Sequence, residues 1–214
     1  MTRVEKLLSI SSGPLSDGPP ADRCLLAEYP LGAELLAMLE RKNGFHTFES
    51  ALHVSPLTAA PVNGANLFDW NSESLRRSDY ADWTAGLLFF AEDVFQDQFC
   101  FGQSGALRFD AETGGTKSMA RSLEEWADLI LRDYPVETGW GLARAWQTEH
   151  GAFMPGQRLM PKTPFTLGGD YSLGNLRAGD AVEGMRIKAD VAMPTRNVPD
   201  GGHVRLVIGK KPVN

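Results

Sequence analysis

Three carboxylates, Glu92, Asp93 and Asp97, crowd the segment that follows the most apolar stretch of the chain. Carboxylates grouped in this way can pass protons to and from a substrate, or hold Mg²⁺. No histidine or basic residue stands beside them in sequence to tune them, and a connection between two strands is a common place for solvated charge. They are therefore read as an acidic face for a basic protein, with acid/base chemistry as the competing use. Other groups with chemical potential have the wrong spacing. His46 and His53 are seven residues apart with Glu49 between them, whereas the zinc helix motif needs histidines four apart. Neither Cys24 nor Cys100 has a second ligand at metal-site spacing. Ser104 sits in Gly102-Gln-Ser-Gly-Ala106, but a nucleophile elbow needs glycine at position 106 as well. Gly114-Gly-Thr-Lys-Ser118 has Thr116 between glycine and lysine and lacks the upstream glycine of a phosphate loop. The sequence thus predicts no catalytic residue, no metal and no cofactor.

Tryptophan supplies a second kind of candidate, because it is enriched among the anchors of protein interfaces. Trp126 and Trp146 fall on the apolar faces of helical segments and read as core. Trp70 and Trp83 lie in a polar stretch, residues 66–85, and are the two that face a partner in this reading.

Charge narrows the choice of partner. Residues 1–150 carry 12 Lys+Arg against 22 Asp+Glu, a net of −10, and residues 151–214 carry 9 against 5, a net of +4. A body this acidic repels nucleic acid and attracts basic proteins. The two cysteines are expected as reduced thiols, since no secretory signal precedes them. The longest wholly apolar run, residues 87–91, is far short of the roughly 20 residues that span a bilayer. The expected location is the cytoplasm, away from membranes.

The elements that must position these residues follow from periodicity. Leu31, Leu35, Met38 and Leu39 line one face of a helix that Asn43-Gly44 terminates. Residues 44–57 carry apolar and aromatic side chains without a clean period, so strand and loop stay open there. Residues 86–91, 98–101, 106–110 and 116–120 read as the strands of an antiparallel meander. Ser122-Leu-Glu-Glu125 is a capping box, followed by a helix with Leu123, Trp126, Ile130 and Leu131 on one side and a shorter helix ending at Gly151. The expected class is α+β, an antiparallel sheet with helices packed on one face. Residues 1–24 form an N-terminal segment and Gly/Pro/Ser-rich loop, 25–150 the main domain, and 151–214 a small β-rich extension ending in a strand at 203–208.

The helix ending in Asn43-Gly44, then Phe89-Phe90-Ala91-Glu92-Asp93, Gln98-Phe-Cys-Phe101, Leu107-Arg-Phe-Asp110, Thr113-Gly114 and the capped helix from Ser122 to Trp126, taken in that order, resembles the SMI1/KNR4 (SUKH) family. The resemblance spans residues 25–150, and Phe95-Gln-Asp97 stands where the family has a glycine-containing turn. It implies a sheet closed by the capped helix and a non-enzymatic function. Bacterial members are typically immunity proteins that neutralise toxin domains, often nucleases. The alternatives are a regulatory or scaffold protein that binds a host protein, and an enzyme built on Glu92, Asp93 and Asp97.

Overall fold

Aromatic residues on alternating sides of the central strands fix the architecture. A computed structural model describes residues 1–18, 23–57, 65–72, 78–199 and 201–202. The expected meander forms from β3 (Leu88–Glu92), β4 (Gln98–Gly102), β5 (Gly105–Phe109) and β6 (Thr116–Ala120), preceded by β1 (Phe45–Thr47) and β2 (Leu52–Val54). The six strands pair antiparallel in sequence order. Residues 45–54, left open between strand and loop, are thus a short hairpin, in which His46 pairs with His53. Three successive residues in its turn, Phe48, Glu49 and Ser50, take left-handed backbone conformations.

Side chains of a strand alternate between faces, and both faces of this sheet are buried. On one face Phe90, Phe99 and Phe101 pack with Trp126, Leu35, Leu39 and Leu7. These come from α1 (Arg3–Ile10), α2 (Gly32–Arg41) and α5 (Leu123–Arg132). The Ser122 hydroxyl accepts from the Glu125 N–H at 3.1 Å, as its motif predicts, but the Glu125 carboxylate reaches the N–H of Arg121 rather than that of Ser122. Thr2 and Glu5 make a complete reciprocal box at the start of α1.

On the other face Phe89, Cys100 and Phe109 pack with Tyr80, Trp70, Met185, Ala189 and Ala192. The expected α+β class with its antiparallel sheet is observed, and α2 and α5 share a face as anticipated. Cover on the opposite face comes from the stretch read as β-rich. Among its described residues that stretch holds one hairpin, β7 (Gln157–Pro161) with β8 (Leu176–Asp180), and then α8 (Ala181–Thr195). Asp180 caps α8 by accepting from Val182 and Glu183 N–H groups. The strand anticipated at 203–208 lies outside the described residues.

The remaining helices are α3 (Leu67–Trp70) and α4 (Ser78–Tyr80), which bring Trp70 and Tyr80 to the second face, and α6 (Tyr134–Thr138) and α7 (Trp140–His150), of which α7 packs Ala143 in a third cluster with Val94, Phe95 and Leu159. Asn71, just past α3, exchanges two 2.8 Å hydrogen bonds with the backbone of Phe89 and so serves a stretch of β3 beyond its pairing with β2. Packing crosses the expected boundaries at 24 and 150: Arg3 and Val4 N–H groups bond Glu124, and Leu159 N–H bonds the Val94 carbonyl. Among the described residues no helix is long and apolar enough to cross a membrane.

Candidate functional site

The turn between β3 and β4 sends the three candidate carboxylates in different directions, and two of them are not on a solvated edge. Glu92 is 3 % exposed and Asp93 fully buried. The strand that carries them is covered on both sides, so a charge there must find an internal partner.

Glu92 meets Arg158 of β7, whose Nε lies 2.8 Å from Oε1, and His53, whose Nδ1 lies 3.2 Å from the same oxygen. Gln98 Nε2 donates to Oε2 at 3.1 Å. Burial opposes ionisation of Glu92, but Arg158, His53 and Gln98 outweigh it and hold the carboxyl well below the usual range. Burial pushes His53 down, and pushes His46 down to about 2, with His53 and Arg158 adding to the effect. Both imidazoles are therefore neutral, stacked with ring centres 4.8 Å apart. This cluster lines a cavity of about 410 Å³ together with Trp70 and Phe153.

Asp93 and Asp97 converge instead on Arg108 of β5. Arg108 Nη2 contacts Asp93 Oδ2 and lies 3.1 Å from Asp97 Oδ2, while Nη1 lies 3.4 Å from Glu137. Asp93 Oδ1 also accepts from the N–H groups of Phe95 and Asp97, which closes the turn. Burial lifts the Asp93 carboxyl to about 7 in spite of Arg108. The three surrounding carboxylates, against the opposing effect of burial, raise the pKa of Arg108 above its already high ordinary value. Within the turn Gln96 is left-handed, with φ 72°, a conformation that ordinarily favours glycine. Its side-chain amide donates to the Ala181 carbonyl at the start of α8.

Around this network opens a cleft of about 640 Å³, with Phe95, Phe165 and Tyr171 on one side, Pro135 and Val136 on another, and Asp97, Asp110 and Glu112 among its polar groups. Phe165 and Tyr171 stack with centroids 3.9 Å apart and planes within 7°. Asp97 is the one candidate carboxylate that lines it.

The tryptophan candidates are also redirected. Trp70 is buried against the sheet and donates from Nε1 to Gln98 at 3.0 Å. Trp83 is half-buried, with Arg196 4.7 Å above its ring and Gly114 beneath, where an added Cβ would come within 1.9 Å of the indole. Ser104 occupies the exposed hairpin turn between β4 and β5, and Lys117 is exposed on β6.

Arg108 and Arg158 were missed by sequence reasoning, for different reasons. Counting back from the two-residue turn Gln103-Ser104 pairs Phe99 with Arg108, which sets Asp97 diagonally across from the guanidinium. That signal was present. The contact from Glu92 to Arg158 spans 66 residues and has no local signature.

No protein-family model matches the sequence, and no curated protein matches it. Among solved structures, the crystal structure of Atu4351 from Agrobacterium tumefaciens is similar, with a TM-score of 0.55 over 86% of this chain and 87% of that one. At 14% identity the likeness is one of fold.

Proposed function

We propose that the protein is a non-enzymatic binding protein of the cytoplasm that neutralises a basic toxin, as its resemblance to the SUKH immunity proteins implies. The observation that carries this reading is the turn from Asp93 to Asp97. The family pattern has glycine there, and Gln96 keeps the left-handed backbone that glycine would supply. A non-glycine residue held in that conformation costs on the order of 1 kcal/mol or more, so the turn geometry is retained against a local cost. The motifs of the resemblance also fall, in their order, on α2, β3, β4, β5, the turn after β5 and α5, around one antiparallel sheet.

Two further features favour binding over the alternative of a carboxylate enzyme. Glu92 and Asp93 spend their oxygens on Arg158, Arg108, His53 and backbone N–H groups. Groups so occupied stiffen a scaffold. Acidic residues elsewhere on α2 and α5, such as Glu34, Glu40 and Glu125, keep the main body attractive to a basic surface.

The test is protection in a living host. Expression of the open reading frame adjacent to this gene is expected to arrest growth, and co-expression of the protein to restore it through a complex that survives purification. Arrest that persists despite abundant soluble protein, or a neighbour without toxicity, would overturn the reading.

A further inference from the structure

The register of the main sheet sets four polar side chains in one row across it. His46 pairs with His53, His53 with Glu92, and Glu92 with Gln98, on the successive strands β1 to β4. Directly paired residues share a face, here the one that elsewhere carries Cys100 and Phe109. Polar groups taken out of water are costly unless each finds a partner, and at the Gln98 end each does. Gln98 accepts from Trp70 Nε1 and donates to Glu92 Oε2 and to the Gln96 carbonyl. Glu92 Oε1 holds His53 Nδ1 and Arg158 Nε side by side.

At the histidine end the bonding stops, and what is left over faces the cavity of about 410 Å³ that His46, His53 and Arg158 line. A carboxylate only accepts, so the proton of neutral His53 sits on Nδ1 and Nε2 keeps a lone pair. Arg158 spends Nε on Glu92 and Nη1 on the Gln157 carbonyl, which leaves the Nη2 donors. Neither His53 Nε2 nor Arg158 Nη2 has a hydrogen-bond partner among the described residues, and neither is enclosed by protein. His46 adds a donor. Its Nδ1 is enclosed without a partner, and an enclosed lone pair is better tolerated than an enclosed N–H, so its proton sits on Nε2. The remaining walls are largely apolar, with Trp70, Phe153, Pro155 and Val182 among them. The start of α8 also reaches the cavity, but Asp180 takes the N–H groups of Val182 and Glu183, and the Gly156 carbonyl takes that of Ala181.

We infer that this cavity binds a small uncharged cyclic amide, whose N–H donates to His53 Nε2 and whose carbonyl accepts from Arg158 Nη2 and His46 Nε2, with its ring against Trp70 and Phe153. The volume is that of a small-molecule site, for which about 300–1,000 Å³ is usual. The pattern of donors and acceptors selects the class. A carboxylate has no proton for the lone pair of His53, and an ammonium has no acceptor for Arg158. Arg158 is already neutralised by Glu92, so a charged ligand gains no counter-ion for the water it gives up. This site does not depend on the proposed function.

The test titrates 2-pyridone and the larger 2-quinolone into the full-length protein near pH 7, followed by NMR, with N-methyl-2-quinolone as the analogue that keeps the carbonyl and loses the N–H. Expected are saturable shifts of the His46 and His53 imidazole and Trp70 indole signals with at least one of the two lactams, and binding about tenfold weaker for the N-methyl analogue. His46→Phe keeps the stacked ring and removes one donor, and should weaken lactam binding about tenfold. Phe153→Ala, on the loop before β7, removes part of the apolar wall without touching the polar row and should weaken both quinolones alike. Thermal melts establish that each variant is folded before its affinity is read. No saturable binding of either lactam, equal affinity for the N-methyl analogue, shifts centred away from the histidines, or wild-type affinity in the folded variants would overturn the inference.

Discussion

Glu92 and Arg158 form a pair buried between the sheet and β7, each 4 % exposed at the side chain. Breaking such a pair costs more than never having it, because the remaining charge has no solvent. Glu92→Gln should therefore lower stability by about 3–5 kcal/mol, measured by urea unfolding. Adding Arg158→Met should recover much of that loss. The neighbouring His46 sets a pH dependence. Its folded pKa, about 2, is far below its ordinary 6.5, so the unfolded chain takes up the proton first. The stability it contributes is present above pH 6.5 and lost as pH falls from there towards 2, at about 1.4 kcal/mol per pH unit. His53, Arg158 and Glu92 face it. His46→Phe keeps the stacked ring and removes an Nδ1 that has no hydrogen-bond partner. Near pH 7 it should match wild type within about 1 kcal/mol; at pH 5 it should exceed wild type by about 2 kcal/mol. Parallel denaturation curves at the two pH values would refute this.

Helix α8 is held at a close crossing. A Cβ on Gly184 would lie 2.1 Å from Gln96 Oε1 and 2.5 Å from Met160 Sδ, and Gln96 is fixed by its bond to Ala181. Gly184→Ala should cost about 1–3 kcal/mol, seen as a lower Tm, with Gly184→Ser no better. The helix was legible only in hindsight. Asp180 is a sound cap, and Ala181, Met185, Ala189 and Ala192 recur at helical spacing, but alanine gives weak contrast and nearby prolines and glycines suggested strands. The meander was plain because its aromatic strands alternate with glycine turns. Glu92 and Asp93 were misread for a related reason. Charged residues after a strand look solvated when the helix and hairpin that bury them begin more than 60 residues later.

Across the molecule, the two faces of one sheet depend on opposite ends of the chain, α1 on one side and α8 on the other. A chain ending at Gly151 would leave Tyr80, Phe89 and Phe109 uncovered. It should lose its cooperative thermal transition and bind hydrophobic dyes, and a sharp native-like melt would contradict the arrangement. Charge reversal of Glu92, Asp93 and Asp97 together should likewise unfold the protein, because two of the three are interior; a folded variant with unchanged melting would return them to the surface. The same dependence governs how the protein is made. A ribosome adds roughly 5–20 residues per second, and α8 begins at Ala181, long after β5 ends at Phe109. For some seconds each nascent chain therefore carries a finished meander with one aromatic face bare, a window in which chaperones find their substrate and slow codons between β5 and α8 would lower yield.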